Sequence, residues 1–269
     1  MTNQGIKMPM ALFRQIKDTN CCRENIIRSQ YAVYVITVLY FEYEKSDIPI
    51  TITLNEIWNK YHSSKCTQTV RNNILTALEI LEEETFIKMF RPNDNRQPYT
   101  IYLDEMFEQI DELYFWLSKD DFTRSCNELT TKELWLYIYL LSTINLQTHY
   151  GFVGYEHIHE KLGMSKHTYY KSIQNLQDKH FLVYTDKITT QSASGQFTSV
   201  NRAYCRFDDM TYLEDAYTNQ VLYSKKLMTE AKKHGTHVII DLEENARIDA
   251  MVEKQSDREF FISHPPFEL

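Results

Sequence analysis

Leu78, Leu81 and Phe86 are each answered, 95 residues later, by Ile173, Leu176 and Phe181. Three apolar anchors at one constant offset restrict this chain more than any single motif in it. A unit that recurs at fixed spacing is expected to fold the same way twice. The length of 269 residues suits that restriction, because it allows two small domains with cores of their own and connecting helices.

Around each set of anchors the residues run in the same order. In the first stretch, residues 30–42 are apolar nearly all round, which predicts a buried helix. A β-like run follows at 48–52, then a short helix at 54–61 and the polar turn His62-Ser63-Ser64-Lys65. Residues 67–83 place Val70, Ile74, Leu78 and Leu81 on one helical face. Residues 86–91 and 99–103 read as two strands around the turn formers of 92–98. In the second stretch, Thr130 or Thr131 caps a helix with Leu134, Ile138 and Leu141 inward. Residues 156–162 form the short helix that Gly163 ends, and Ser165 caps a helix burying Tyr169, Ile173 and Leu176. Strands at 181–185 and 202–207 follow, joined by a long polar loop. Helix, turn, helix and hairpin make a helix-turn-helix with a wing.

The fold class expected is therefore α+β, mainly α with small β wings: two tandem winged helix-turn-helix units with connecting and C-terminal helices. The divisions are an N-terminal segment at 1–29, one unit at 30–103, an acidic linker helix at 104–129, a second unit at 130–208 and a helical extension at 209–269. In the linker, residues 104–117 set Met106, Ile110, Leu113 and Leu117 on one face, which is expected to pack the units together or to build a homodimer contact. In the extension, a helix at about 210–234 ends in Lys232-Lys233-His234-Gly235, a short strand follows at 237–240, and an acidic helix covers 243–253.

A helix-turn-helix with a wing places its second helix in the major groove of DNA and its wing on the neighbouring backbone. The charges follow that geometry. Residues 65–73 hold Lys65 and Arg71 and no acid; the first wing holds Lys88, Arg91 and Arg96 against Asp94. Residues 165–175 hold Lys166 and Lys171 and no acid; residues 179–207 hold Lys179, Lys187, Arg202 and Arg206 against Asp186. The net charge of −8 thus arises elsewhere, as in residues 104–121, and does not oppose phosphate binding. Thr67, Gln68, Thr69, Asn72 and Asn73 on the first helix are of the kinds that read base edges, with Gln or Asn opposite adenine a standard pairing. Ser165, Lys166, His167, Thr168, Tyr170, Lys171 and Gln174 do the same for the second, and Lys and Ser/Thr also suit phosphates.

Other classes find little support. Apolar residues at 43% and charged residues at 25% are ordinary for a folded protein. The longest apolar stretch, 31–41, is about half of the roughly 20 residues a spanning helix needs, and residues 1–10 lack the pattern of a signal peptide. A cytoplasmic protein without a membrane partner is expected. Cys21, Cys22, Cys66, Cys126 and Cys205 form no CxxC pair and read as free thiols. His157 and His159 point apart on a helix, so no metal is expected. No GxxxxGK[ST], GxGxxG, HExxH or GxSxG occurs, and six glycines leave little for a phosphate loop. Tyr169-Tyr170 lacks the metal cluster that a DNA-nicking tyrosine requires. No catalytic residue and no cofactor are expected.

The second stretch, Thr131-Lys-Glu-Leu-Trp through Met164-Ser-Lys-His-Thr-Tyr-Tyr-Lys-Ser-Ile-Gln-Asn-Leu-Gln-Asp-Lys-His-Phe-Leu-Val, resembles the winged-helix modules of replication initiator and replisome-organiser proteins of Gram-positive plasmids and phages. The resemblance covers about residues 130–185; the acidic net charge departs from the basic character of many such initiators. The first wing, from Arg91 to Arg96 before Tyr99-Thr-Ile-Tyr, is similar to that of MarR/SarA-type transcription regulators, some of which hold two units in one chain. Three functions stay open. One is a sequence-specific regulator of transcription or replication, of a mobile element, that occupies double-stranded DNA. Another is an initiator that binds origin repeats and recruits host replication proteins. The third is a protein–protein adaptor without DNA binding.

Overall fold

The computed structural model of the protein describes residues 5–10, 13, 28–43, 47–94, 96–104, 114–185, 188–191, 197–200, 202–213, 215–216, 218 and 239–240. By contact these fall into two compact units, one within Met1–Ser142 and Ile158–Asn175, the other within Thr143–His157 and Leu176–Leu269. The chain is mixed α and β, with small antiparallel sheets.

In chain order the elements begin with β1 (Gly5–Pro9), α1 (Gln30–Phe41), β2 (Ile50–Ile52), α2 (Leu54–Asn59), α3 (Gln68–Glu83), β3 (Ile87–Phe90), β4 (Tyr99–Leu103), β5 (Tyr114–Ser118), α4 (Lys119–Glu128) and α5 (Thr131–Thr143). The apolar run of α1 buries every residue from Ala32 to Tyr40 and packs against α3. Buried hydroxyls in it are satisfied inside: that of Tyr34 donates to the Ile57 carbonyl at 2.7 Å, and that of Thr37 to the Val33 carbonyl at 2.7 Å. On α3, Ile74, Leu78 and Leu81 are buried while Val70 is only half-buried. Strands pair in the order β2-β4-β3, with Ile50 opposite Ile101 and Phe90 opposite Thr100. Alternate residues of all three strands face the core, as the two-residue period of a strand requires. Thr130 caps α5 reciprocally with Glu133: the Thr130 N–H donates to the carboxylate at 2.8 Å, and the Glu133 N–H to the Thr130 hydroxyl at 3.4 Å.

Next come β6 (Gly151–Phe152), α6 (Tyr155–Leu162), α7 (Lys166–Asp178), β7 (Leu182–Tyr184), β8 (Ile188–Gln191), β9 (Phe197–Val200), β10 (Ala203–Arg206), a 3-10 helix (Phe207–Tyr212) and β11 (Ile239–Ile240). The strands β6, β10 and β7 form a sheet in that order, with Tyr204 between Gly151 and Tyr184. Gly151 is required by close approach, since a Cβ there would lie 3.0 Å from both the Thr143 carbonyl oxygen and the Tyr204 ring. Gly163 ends α6 at φ +65, the left-handed conformation a glycine adopts without strain.

The two long anchored helices end alike. After α3 the chain turns through Thr85 at φ 61; its N–H donates to the Glu82 carbonyl and that of Phe86 to the Leu81 carbonyl. After α7 it turns through His180 at φ 55; its N–H donates to the Gln177 carbonyl and that of Phe181 to the Leu176 carbonyl. Both ends are Schellman caps, each built on a non-glycine residue, and they stand 95 residues apart as the anchors do.

Three expectations need correction. The helix expected over 104–117 is a strand where it is described: β5 pairs antiparallel with β1, Leu117 opposite Ile6. Its aromatic, alternately buried residues fit a pleat, and the missing signal was the partner strand in the unassigned N-terminal segment. The helical part of the linker is α4, whose Ser118 accepts from the Asp121 N–H at 3.0 Å and whose Asp120 and Asp121 suit the positive end of its dipole. The polar loop expected between β7 and β10 contains the hairpin β8–β9, which β11 joins beside β8. The helix expected from about 210 is preceded by a 3-10 turn, and its continuation beyond 218 lies outside the described residues. So do Cys21, Cys22, Met106, Ile110, Leu113, Lys232 to Gly235 and the helix expected at 243–253.

Candidate nucleic-acid interface

The first helix expected to face DNA, α3, is held by its neighbours before it meets anything else. Thr53 and Glu56 form a capping box that starts α2, and the hydrogen bonds Glu56 receives from Thr53 hold its carboxyl below the usual range. The turn from α2 to α3 is pinned from two sides. The Trp58 indole donates to the Ser64 carbonyl at 3.0 Å, and Asn127 of α4 accepts from the Ser63 N–H at 2.7 Å while donating to the Tyr61 carbonyl at 2.8 Å. The His62 ring lies flat on Trp58, centroids 3.6 Å apart, and burial pushes its pKa down to about 4. Thr67 then caps α3 by accepting from the Val70 N–H at 3.3 Å.

This scaffold leaves Lys65, Thr67, Gln68, Thr69 and Asn72 exposed and Arg71 half-buried. The Arg71 guanidinium donates to Asn55 Oδ1 and to Gln68 Oε1, each at 3.1 Å, and the Gln68 amide nitrogen donates to Asn72 Oδ1 at 2.8 Å. The relay lines an open cleft of about 440 Å³ between α2, α3 and the β3–β4 turn, where Asp94 and Arg96 sit opposite. Asn55 is the member that the sequence did not single out: it lies 16 residues from Arg71 on another helix.

On the first wing, Lys88 and Arg96 are exposed, and Lys88 lies over the Phe90 ring at 5.4 Å. Phe90, 53% exposed and in edge contact with Tyr102, adds an apolar group beside these cations. Arg91 is in a different situation. It pairs with Glu79 at 3.1 Å and Glu82 at 3.5 Å, both on α3, so its charge is compensated within the fold.

On α7, the second helix expected to face DNA, Ser165 forms the cap, accepting from the Thr168 N–H at 3.3 Å and bonding the Thr168 hydroxyl at 2.9 Å. Lys166, His167, Tyr170, Lys171 and Gln174 are exposed along one face, and Thr168 is half-buried. Tyr170 stands out at 55% exposure. Arg202 is half-buried: it donates to the Thr185 carbonyl and lies over the Tyr184 ring at 5.2 Å, so it serves the sheet edge first. Lys187 lies outside the described residues. Among the described residues, no helix is long and apolar enough to cross a membrane, and no group of three or more His, Cys, Asp or Glu is placed to hold a metal. Burial raises the Cys66, Cys126 and Cys205 thiols, which is the environment of inert core cysteines. Comparison of the chain with protein-family models, curated proteins and solved structures gives no match.

Proposed function

We propose that the chain binds double-stranded DNA through two winged-helix units in tandem, at 30–103 and 130–208, and acts as a sequence-specific regulator of transcription or replication. One observation carries this reading. The order helix, strand, helix, turn, helix, strand pair occurs twice, each time with a three-stranded sheet. Its central strand, β4 or β10, joins the early strand on one side and the strand that follows the longer helix on the other; in the second stretch the β8–β9 hairpin is inserted between the paired strands. In both stretches the helix after the turn exposes amides, hydroxyls and cations and no acid over its first half. That is the composition a helix needs to enter a groove lined by phosphates.

The test is the salt dependence of binding to duplex DNA. Lys166→Ala with Lys171→Ala is expected to weaken binding and to reduce the salt slope by about 1 for each phosphate no longer neutralised, with melting unchanged. The adaptor reading has its own support in the β1–β5 ribbon, where Trp116 is 46% exposed beside Tyr114 and the Lys7 ammonium lies 4.6 Å from the Tyr114 ring. Duplex binding that is absent at every salt concentration would leave that reading in place of the first.

A further inference from the structure

The relay on α3 has a chemical polarity. Arginine carries N–H donors and no acceptor, so whatever touches it must accept. That requirement turns Asn55 Oδ1 and Gln68 Oε1 toward Arg71. The amide nitrogen of Gln68 is thereby directed to Asn72, whose Oδ1 must accept. All three amide oxygens are engaged inside the relay. The groups left to face a ligand are the remaining N–H donors of Arg71, Gln68, Asn72 and Asn55. The Thr53 hydroxyl at the rim is taken up by Glu56. Asp94 is the carboxylate among the cleft's lining residues; it sits on the wing turn and accepts from the Arg96 N–H at 2.9 Å.

Gln68, Arg71 and Asn72 stand at i, i+3 and i+4, hence on one face of the helix. In the major groove guanine offers two acceptors side by side, O6 and N7. Adenine offers one acceptor beside an amino donor. A face of donors matches both groups of guanine, whereas an adenine amino group would meet donors or oxygens that already accept. The usual pairing of Gln or Asn with adenine needs one amide to present its oxygen and its nitrogen together, and here each oxygen is turned into the relay, where it already accepts one bond. We infer that Gln68, Arg71 and Asn72 select a guanine over an adenine at the position beneath α3. This inference rests on the DNA-binding reading and specifies what one of its two helices recognises.

The experiment starts from duplexes selected by the full-length chain from a random pool. Guanine at one position is expected, with substitution by adenine lowering affinity roughly 5- to 150-fold, the range of one good bidentate pairing. Replacing that guanine by 7-deazaguanine, which lacks the N7 acceptor, should lower affinity, while inosine, which keeps O6 and N7, should not. These arms need no protein variant. Asn72→Asp exchanges outward donors for an acceptor at the same helical position and should shift the preference there toward a base with an amino group. Adenine at that position, no preference, or indifference to 7-deazaguanine overturns the inference while leaving DNA binding intact. Absence of any salt-dependent duplex binding overturns both.

Discussion

Two residues carry conformational or electrostatic tension that a single substitution can read out. Thr85 holds φ 61 with a β-branched side chain, a conformation that costs about 1–2 kcal/mol for an L-residue other than glycine. Thr85→Gly is therefore expected to stabilise the protein by about 1 kcal/mol, seen as a higher midpoint in urea. His180→Gly should gain less, because the His180 ring packs against Phe207 at 4.6 Å and glycine puts nothing in its place. Equal or lower stability of Thr85→Gly would show that the cap is not strained. His62 supplies the second case. Its folded pKa of about 4 lies below the ordinary 6.5, because burial against Trp58 disfavours the charged ring. Between those values the unfolded chain binds the proton and the folded one does not, so this contribution is complete above 6.5 and is lost as pH falls toward 4. The melting temperature should drop on acidification through that window. His62→Phe, which keeps a ring on Trp58 but cannot titrate, should drop less steeply, and equal slopes would remove His62 as the cause.

At the scale of elements, the repeat makes a paired prediction. Leu78 is fully buried on α3 and Ile173 is 5% exposed on α7, each about two turns before the left-handed residue of its Schellman cap. Truncation to alanine at either site removes apolar packing and leaves a cavity, so each should cost about 2–5 kcal/mol, measured by denaturant unfolding. A loss of stability at one site alone would show that the two helices are not equivalent anchors. These helices were legible in the sequence because their signals are local: apolar residues at helical spacing, Ser165 as a cap, Gly163 as a stop. What escaped depends on partners far along the chain. β5 looked helical because Leu113 and Leu117 are four apart, and only pairing with β1 gives its aromatic alternation a purpose. The β8–β9 hairpin hid in a polar stretch, because its strands carry Thr189, Thr190, Thr198 and Ser199 at their centres and apolar Ile188, Phe197 and Val200 only at their ends. The same holds at the interface. Exposure of Gln68 and Lys166 followed from helical phase and that of Lys65 from its place in the polar turn, but the neutralisation of Arg91 by Glu79 and Glu82 requires β3 to end beside α3, and the Asn55–Arg71 bond requires α2 to pack beside it.

For the whole molecule, charge and asymmetry decide what kind of DNA site suits the chain. A net charge of −8 is spread so that the two reading helices' first halves hold cations without acids. On the proposed function, an acidic remainder is expected to repel DNA from other faces and to favour approach through these two, more strongly at low salt. The helices present different chemistry. α3 shows an amide and guanidinium relay, while α7 shows Lys166, His167, Tyr170 and Lys171. A dimer of identical single units would impose its two-fold symmetry on the DNA and demand a palindrome. Two unlike helices in one chain impose no such symmetry, so one monomer is expected to protect a non-palindromic site whose two halves differ in sequence. Footprinting on a selected duplex, with the stoichiometry measured by light scattering, checks this. Lys166→Ala with Lys171→Ala should erase protection over one half and leave the guanine-containing half. A perfect palindrome bound by two chains, with protection tracking one helix per chain, would mean that one of the repeated stretches serves a homodimer contact instead of reading DNA.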